Sequence, residues 1–213
     1  MQEEIRKKIE EGANPGHPHG TAGKEMLEEM NEHHYQVTGW GLGHVTFGYH
    51  DKILDIGCGG GATLHRLHDN LPEATLYGLD YSRTSLLKCS EENAKAIKHG
   101  KLNLVHSSVE NMPFSDDAFD KIITVESFYF WPDPGENLKE VYRILKPGGR
   151  FLLISEVYDN GELSEYSMNN IRNYHLFNPT PEEFQELFEQ AGFTGVQMYF
   201  QEGEEWICIA AEK

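Results

Sequence analysis

Asp55-Ile56-Gly57-Cys58-Gly59-Gly60-Gly61-Ala62 joins the apolar run Lys52–Ile56 to a helix-compatible stretch over residues 61–70. Glycines at such a junction let the backbone turn tightly and approach a ligand with no Cβ in the way. The free amides at the start of the following helix favour a carboxylate or a phosphate. Gly57, Gly59 and Ala62 also satisfy the dinucleotide fingerprint G-x-G-x-x-A, so the glycines alone leave the class of nucleotide-like ligand open. The next apolar run, Leu76-Tyr77-Gly78-Leu79-Asp80, ends on an acidic residue. A carboxylate there can accept from both hydroxyls of a ribose, which suits a dinucleotide and its rivals equally.

Outward from this turn, strands and helices alternate. Thr75–Leu79, Leu102–His106, Lys121–Val125 and Arg150–Ser155 read as strands. A long helix over Ser82–Lys98, with Ser82 as N-cap, and another over residues 135–146 separate them. Lys146-Pro147-Gly148-Gly149 is a strong stop signal. Thr180 caps and Pro181 opens a further helix that Gly192 ends. Thr194–Tyr199 and Trp206–Ala211 supply two closing strands. The pattern predicts an α/β fold of the Rossmann-like, doubly wound type: a mostly parallel seven-stranded sheet with helices on both faces.

The first fifty residues differ in texture. Residues 2–11 are charged and helix-compatible, residues 12–23 form a Gly/Pro/His loop, and a second helical stretch runs from about Gly23 to His34. The glycine-spaced Gly39-Trp40-Gly41-Leu42-Gly43 follows. Two units are therefore expected: an N-terminal helical extension over residues 1–50 and a ligand-binding domain over residues 51–213.

The chain has 213 residues with 35 acidic against 18 basic side chains, a formal net charge of −17. That balance argues against a nucleic-acid partner, whose affinity comes largely from Lys and Arg contacts to phosphate. No apolar run approaches the roughly 18 residues of a membrane-spanning helix, and the start, Met-Gln-Glu-Glu, lacks the basic and apolar segments of a signal peptide. Cys58, Cys89 and Cys208 cannot all pair and read as reduced thiols. These features lead us to expect a cytoplasmic protein that does not bind membranes; its oligomeric state is left open.

Several blocks in order make the chain resemble the class I S-adenosylmethionine-dependent methyltransferases, from about Lys52 to the C-terminus. Ile53–Gly61 resembles the family's first motif, which wraps the methionine part of the cofactor, and Asp80 stands at its ribose-binding acidic position. Ser107-Ser108-Val109-Glu110-Asn111-Met112-Pro113-Phe114 is similar to its Gly-Asp-Ala-Glu-x-Leu-Pro-Phe block beside the adenine, and Leu138–Gly149 to Leu-x-Glu-x-x-Arg-Val-Leu-Lys-Pro-Gly-Gly. The resemblance implies S-adenosyl-L-methionine as cofactor, held by Asp55, Gly57, Cys58, Gly59, Gly61, Asp80, Tyr81, Ser108, Val109 and Glu110. Ser108 stands where the family often has an adenine-binding Asp.

In such a family the cofactor carries the reactive group and the protein aligns the acceptor. By position in the resembled family, Thr124–Asp133 faces the transferring methyl, and an aromatic run near Phe128, Tyr129 and Phe130 replaces the Leu-His-His of many relatives. Glu126 and Tyr129 are the catalytic candidates, weighed against plain packing. Glu126 would act as a base or orient an amine. Tyr129 would line the acceptor pocket or face the sulfonium. The expected acceptor is a small molecule. A protein or RNA target reached with a partner subunit is the alternative, as is a non-catalytic binding protein of the same fold.

No metal is expected. His17-Pro18-His19 and His33-His34 are the close histidine pairs, and neighbours on a helix point in different directions. Cys58 is explained by its small size. Residues 1–50, with Tyr35, Trp40, His44, Phe47 and Tyr49 among glycines, are expected to cover the cofactor as a lid, against the alternative of an extra layer packed on the sheet.

Overall fold

The computed structural model describes residues 2–213, without the side chains of Gln2 and Glu4. Three helices come first, α1 (Gln2–Glu10), α2 (Gly20–His33) and α3 (Tyr35–Leu42). The alternating part then runs β1 (Lys52–Ile56), α4 (Ala62–Asn70), β2 (Thr75–Asp80), α5 (Arg83–Glu92), α6 (Ala94–Lys98), β3 (Leu102–His106) and β4 (Phe119–Val125). It continues as α7 (Pro134–Ile144), β5 (Leu145–Ser155), α8 (Glu165–Tyr174), α9 (Pro181–Gln190), β6 (Thr194–Phe200) and β7 (Ile207–Glu212).

The seven strands form one sheet in the order β3-β2-β1-β4-β5-β7-β6. The first five are parallel, and β7 runs antiparallel between β5 and β6. The order reverses beside β1, so a crevice opens beyond the carboxyl ends of β1 and β4, where doubly wound sheets bind ligands.

Helices cover both faces, which is why the central strands are apolar without alternation. Leu54, Ile122, Phe151 and Leu153 meet Leu138, Phe184 and Phe188 of α7 and α9 on one face. Ile53, Leu76, Ile123 and Leu152 meet Leu64, Cys89 and Val37 of α4, α5 and α3 on the other.

The structure departs from the sequence reading at several points. The helix expected over Ser82–Lys98 breaks at Asn93, whose side-chain amide donates to Gly61 O and Cys89 O at 3.0 Å each. The glycine-spaced Gly39–Gly43 lies largely inside a helix, α3. Burial overrides its low helix propensity: Gly41 lies against Ile154, where a Cβ would meet the side chain at 2.5 Å. Residues 158–178, a polar stretch to which the sequence assigns no element, contain α8, capped by Ser164.

Residues 1–50 divide in their contacts. Val37 and Val45 belong to the sheet's second core, Cys208 Sγ donates to Gly41 O, and His44 stacks on Tyr199 with centroids 4.0 Å apart. Residues around α2 instead lean over the crevice, where Pro18 O accepts from the buried Ser82 hydroxyl at 2.8 Å. Salt bridges Lys24–Glu91 and Lys88–Glu28 join α2 to α5 at the surface. No described helix is long and apolar enough to cross a membrane.

Candidate active site

Beyond the ends of β1, β2 and β4 lies a cleft of about 370 Å³, within the few-hundred-Å³ range of small-ligand sites. Asp55, Gly57, Cys58, Gly59 and Asp80 form one wall, Tyr81, Ser108, Val109 and Glu110 a second, and Glu126, Phe130 and Trp131 the far end. Met30, Asn31, His34, Tyr35 and Thr38 close it from the N-terminal side.

The glycine turn is built by the backbone. The Gly57 and Cys58 amides both donate to Leu79 O, at 2.8 and 3.1 Å, which ties the turn to the end of β2. Gly57 has φ +72°, and a Cβ on it would run into the Ser127 side chain. Gly61 (φ +86°) stands instead behind the cleft wall, where a Cβ would meet Cys89 and Asn93. It allows α4 to pack closely on α5 and is not among the residues that line the cleft.

Two acidic side chains face this turn. Asp80 Oδ2 accepts from Gly59 N–H at 3.0 Å, and Oδ1 from Ser82 N–H at 2.8 Å. Burial raises the Asp80 pKa, opposed by those two amides. Asp55 is 1% exposed, and its Oδ1 has no hydrogen-bond partner within the chain. Burial, with the nearby Asp80 charge, pushes its carboxyl well up. An orphaned buried carboxylate oxygen costs stability unless a ligand satisfies it.

The Cys58 thiol is also held well above its ordinary pKa, by its hydrogen bond with Cys89 and by burial. It therefore stays a protonated, small wall residue. Tyr81 is half exposed and stacks on His17, centroids 5.2 Å apart.

On the second wall Val109 is buried, while the Ser108 hydroxyl donates to Glu110 Oε2 at 2.9 Å and accepts from Glu110 N–H. Glu110 stands at the Glu of the resembled block, and Ser108 orients its carboxylate. Arg143 and Glu140 hold this loop from behind. Arg143 donates to Phe114 O at 2.9 Å and Met112 O at 3.3 Å, and Glu140 accepts from Met112 N–H at 3.0 Å.

At the far end Glu126 is 8% exposed and has φ +52°, a costly conformation for a side chain of its size. Its Oε2 accepts from the Tyr129 hydroxyl at 2.7 Å and its Oε1 from Glu156 N–H. Burial raises the Glu126 pKa to about 7, opposed by those two donors. Tyr129 is not among the residues that line the cleft, and its hydroxyl is turned to Glu126; the neighbouring Phe130, partly buried, does line it. Phe128 is core, and Trp131 is both core and wall, donating to Ser127 Oγ at 3.3 Å.

The histidine pair corrects the sequence reading. His33 and His34 do not diverge, because α2 ends at His33 and His34 is its C-cap, where helical spacing no longer applies. Both imidazoles turn to Glu156: His33 Nε2 lies 3.1 Å and His34 Nε2 3.8 Å from Glu156 Oε2. His34 Nε2 is also 3.9 Å from Glu126 Oε2. Burial lowers the His34 pKa to about 4, against the pull of Glu156. The sequence reading also missed Met30, Asn31 and Thr38, which carry no motif; only the helical period of α2 and α3 could have indicated a shared face.

The methyltransferase domain family profile matches residues 54–153. Over 185 residues, 87% of this chain and 49% of the relative, the sequence is 29% identical to 2-methyl-6-phytyl-1,4-hydroquinone methyltransferase 1, chloroplastic, of Oryza sativa subsp. japonica. It is 33% identical to the 2-methyl-6-phytyl-1,4-hydroquinone methyltransferase of Spinacia oleracea over 68% of this chain and 40% of the relative. The chain thus spans about half or less of the length of these curated relatives.

Geranyl diphosphate C-methyltransferase from Streptomyces coelicolor A3(2), solved with Mg2+, geranyl diphosphate and S-adenosyl-L-homocysteine, superposes with a TM-score of 0.72 at 15% identity, covering 94% of this chain and 87% of that one. Phosphoethanolamine N-methyltransferase 2 of Haemonchus contortus, solved with S-adenosyl-L-methionine, gives 0.73 at 17% identity, covering 84% and 52%. At such identities these structures establish the fold. With the profile match and the motifs on β1 and β2, they lead to one conclusion: the chain belongs to the class I S-adenosylmethionine-dependent methyltransferases.

Proposed function

We propose that the chain transfers a methyl group from S-adenosyl-L-methionine to a small, largely apolar acceptor that carries an O–H or N–H. One observation supports this above the others: a single cleft runs from the Asp55/Asp80 cradle to Glu126, with aromatic walls at its far end. The residues present fit the cofactor. The orphaned Asp55 Oδ1 offers an acceptor to an ammonium group beside the glycine turn. Asp80 keeps free lone pairs on both oxygens for a ribose diol. Glu110, Ser108 and Val109 border the space left for the adenine.

When bound, the cofactor supplies an electrophilic methyl on a sulfonium sulfur. The chain's part is alignment and exclusion of water. Phe130 and Trp131 offer a flat apolar acceptor its contact surface, and Met30 with Tyr35 covers it. Glu126, fixed by Tyr129 and the Glu156 amide, accepts a hydrogen bond from the acceptor and can take its proton as the new bond forms. We assign the covering role to residues 15–35, while residues 37–45 belong to the fixed layer on the sheet.

The curated relatives named above act on hydroquinones, acceptors of this character. The formal charge of −17 opposes a phosphate-rich target, and three buried free thiols accord with a reducing compartment such as the cytosol.

Labelling tests the reading. The chain is incubated with methyl-labelled S-adenosyl-L-methionine and a crude cell extract, then separated into organic-soluble, protein and RNA fractions. Label is expected in the organic-soluble fraction. Label confined to protein or RNA would overturn the small-molecule acceptor.

A further inference from the structure

We propose that His33, His34 and Glu156 form a binding site for a divalent transition ion of the Zn2+ type beside the acceptor end of the cleft. One donor atom from each residue lies within 4.8 Å of the others. Donors that share a metal at about 2.0–2.2 Å stand roughly 3–3.5 Å from one another. The His33–Glu156 separation of 3.1 Å already has that value, and the His34–Glu156 separation of 3.8 Å is close to it. His33, 58% exposed, is free to turn toward the other two donors, and the His34–Glu156 pair needs to close by only a few tenths of an ångström.

The donor chemistry selects the ion class. Two imidazoles and one carboxylate suit Zn2+, Fe2+, Co2+ or Ni2+, and they leave coordination positions open. The surrounding charge favours a cation. Glu126 Oε2 lies 3.9 Å from His34 Nε2, so two carboxylates meet at this place, and among the described residues no lysine or arginine pairs with either. His33 and His34 also sit at the C-terminal end of α2, the negative end of the helix dipole.

The site has a direction. His34 and Glu126 both line the cleft, so an ion held here would be within reach of a molecule bound at that end. It would take an oxygen or nitrogen donor of that molecule. This second step rests on the proposed function; binding of the ion does not.

The test uses untagged chain stripped with a chelator and titrated calorimetrically with Zn2+. In parallel, Co2+ is followed by its visible d–d bands. One equivalent is expected for the parent. His33→Ala and Glu156→Gln should each weaken binding by about tenfold or more, while His65→Ala, an exposed histidine beside Asp69, should leave it unchanged. A thermal melt of each variant separates loss of ligation from loss of fold.

Absence of a saturable equivalent in the parent, or equal affinity in folded His33→Ala and Glu156→Gln, would overturn the site. An S-adenosyl-L-homocysteine titration of the same samples keeps the two readings apart. Metal binding without cofactor binding would sink the proposed function and leave this site standing.

Discussion

Replacing Asp80 by alanine perturbs the cradle at one well-defined point. Asp80 is 7% exposed, and its two oxygens already accept the Gly59 and Ser82 amides at 3.0 and 2.8 Å. A carboxylate has about four lone-pair directions, so two remain for a ribose diol. A hydrogen bond to a charged group contributes about 1.5–3 kcal/mol. Two that share one carboxylate are not additive, which gives a loss of about 2–4 kcal/mol. At about 1.4 kcal/mol per decade, affinity should fall roughly thirty- to several-hundred-fold.

Fold stability should change less. The variant frees two amides but also removes a carboxylate whose burial already disfavours its charged form, and Ser82 keeps its cap on Ser85 and its bond to Pro18. Isothermal titration with S-adenosyl-L-homocysteine, paired with a thermal melt, reads both quantities. A change in Kd below about threefold, with the melt unchanged, would refute the ribose role.

Asp55→Asn should weaken cofactor binding by removing the charge that faces the ammonium group, while its neutral amide has no proton to take up in the folded, ligand-free chain. Because burial raises the Asp55 and Asp80 carboxyls, the folded chain binds more protons than the unfolded one between the ordinary and raised pKa values. Stability of the parent should therefore fall as pH rises through that window, and less so in Asp55→Asn; denaturant melts across pH check this. Glu126→Gln should lower turnover by about two to four orders of magnitude with cofactor affinity nearly intact; equal loss of both would make Glu126 a cofactor ligand. Removing residues 1–34 should leave a cooperative melt, because Val37 and Val45 stay in the core, and should abolish acceptor turnover; an aggregated product would show the whole segment to be core.

The sheet was legible because its signal is local. Buried strands such as Ile53–Ile56 and Leu152–Ile154 leave continuous apolar runs, and Pro181 after Thr180 marks a helix start that the structure completes as a capping box with Glu183. No residue pattern marks the strand order or the antiparallel run of β7, because both depend on pairings between distant segments. The residues that wall the cleft were legible for the same reason of locality: the glycine turn and Asp80 are punctuation at strand ends.

The far end of the cleft was not legible. Glu126 lines it, but its partners Tyr129, Glu156 and His34 come from three places in the chain, and only folding brings α2 against the end of β5. The His33–His34 reading failed because helical spacing was applied to a residue just beyond the helix end. Nothing in the spacing of Gly39–Gly43 marks a helix, because packing against Ile154 outweighs the propensity of its glycines.

Cofactor identity underlies every later step, and the glycine turn by itself also fits a dinucleotide. Calorimetric titration of the parent chain with S-adenosyl-L-methionine, and separately with NAD, tests it most directly. The account predicts saturable one-to-one binding of S-adenosyl-L-methionine and no heat of binding from NAD. Saturable NAD binding with none for the methyl donor would contradict it.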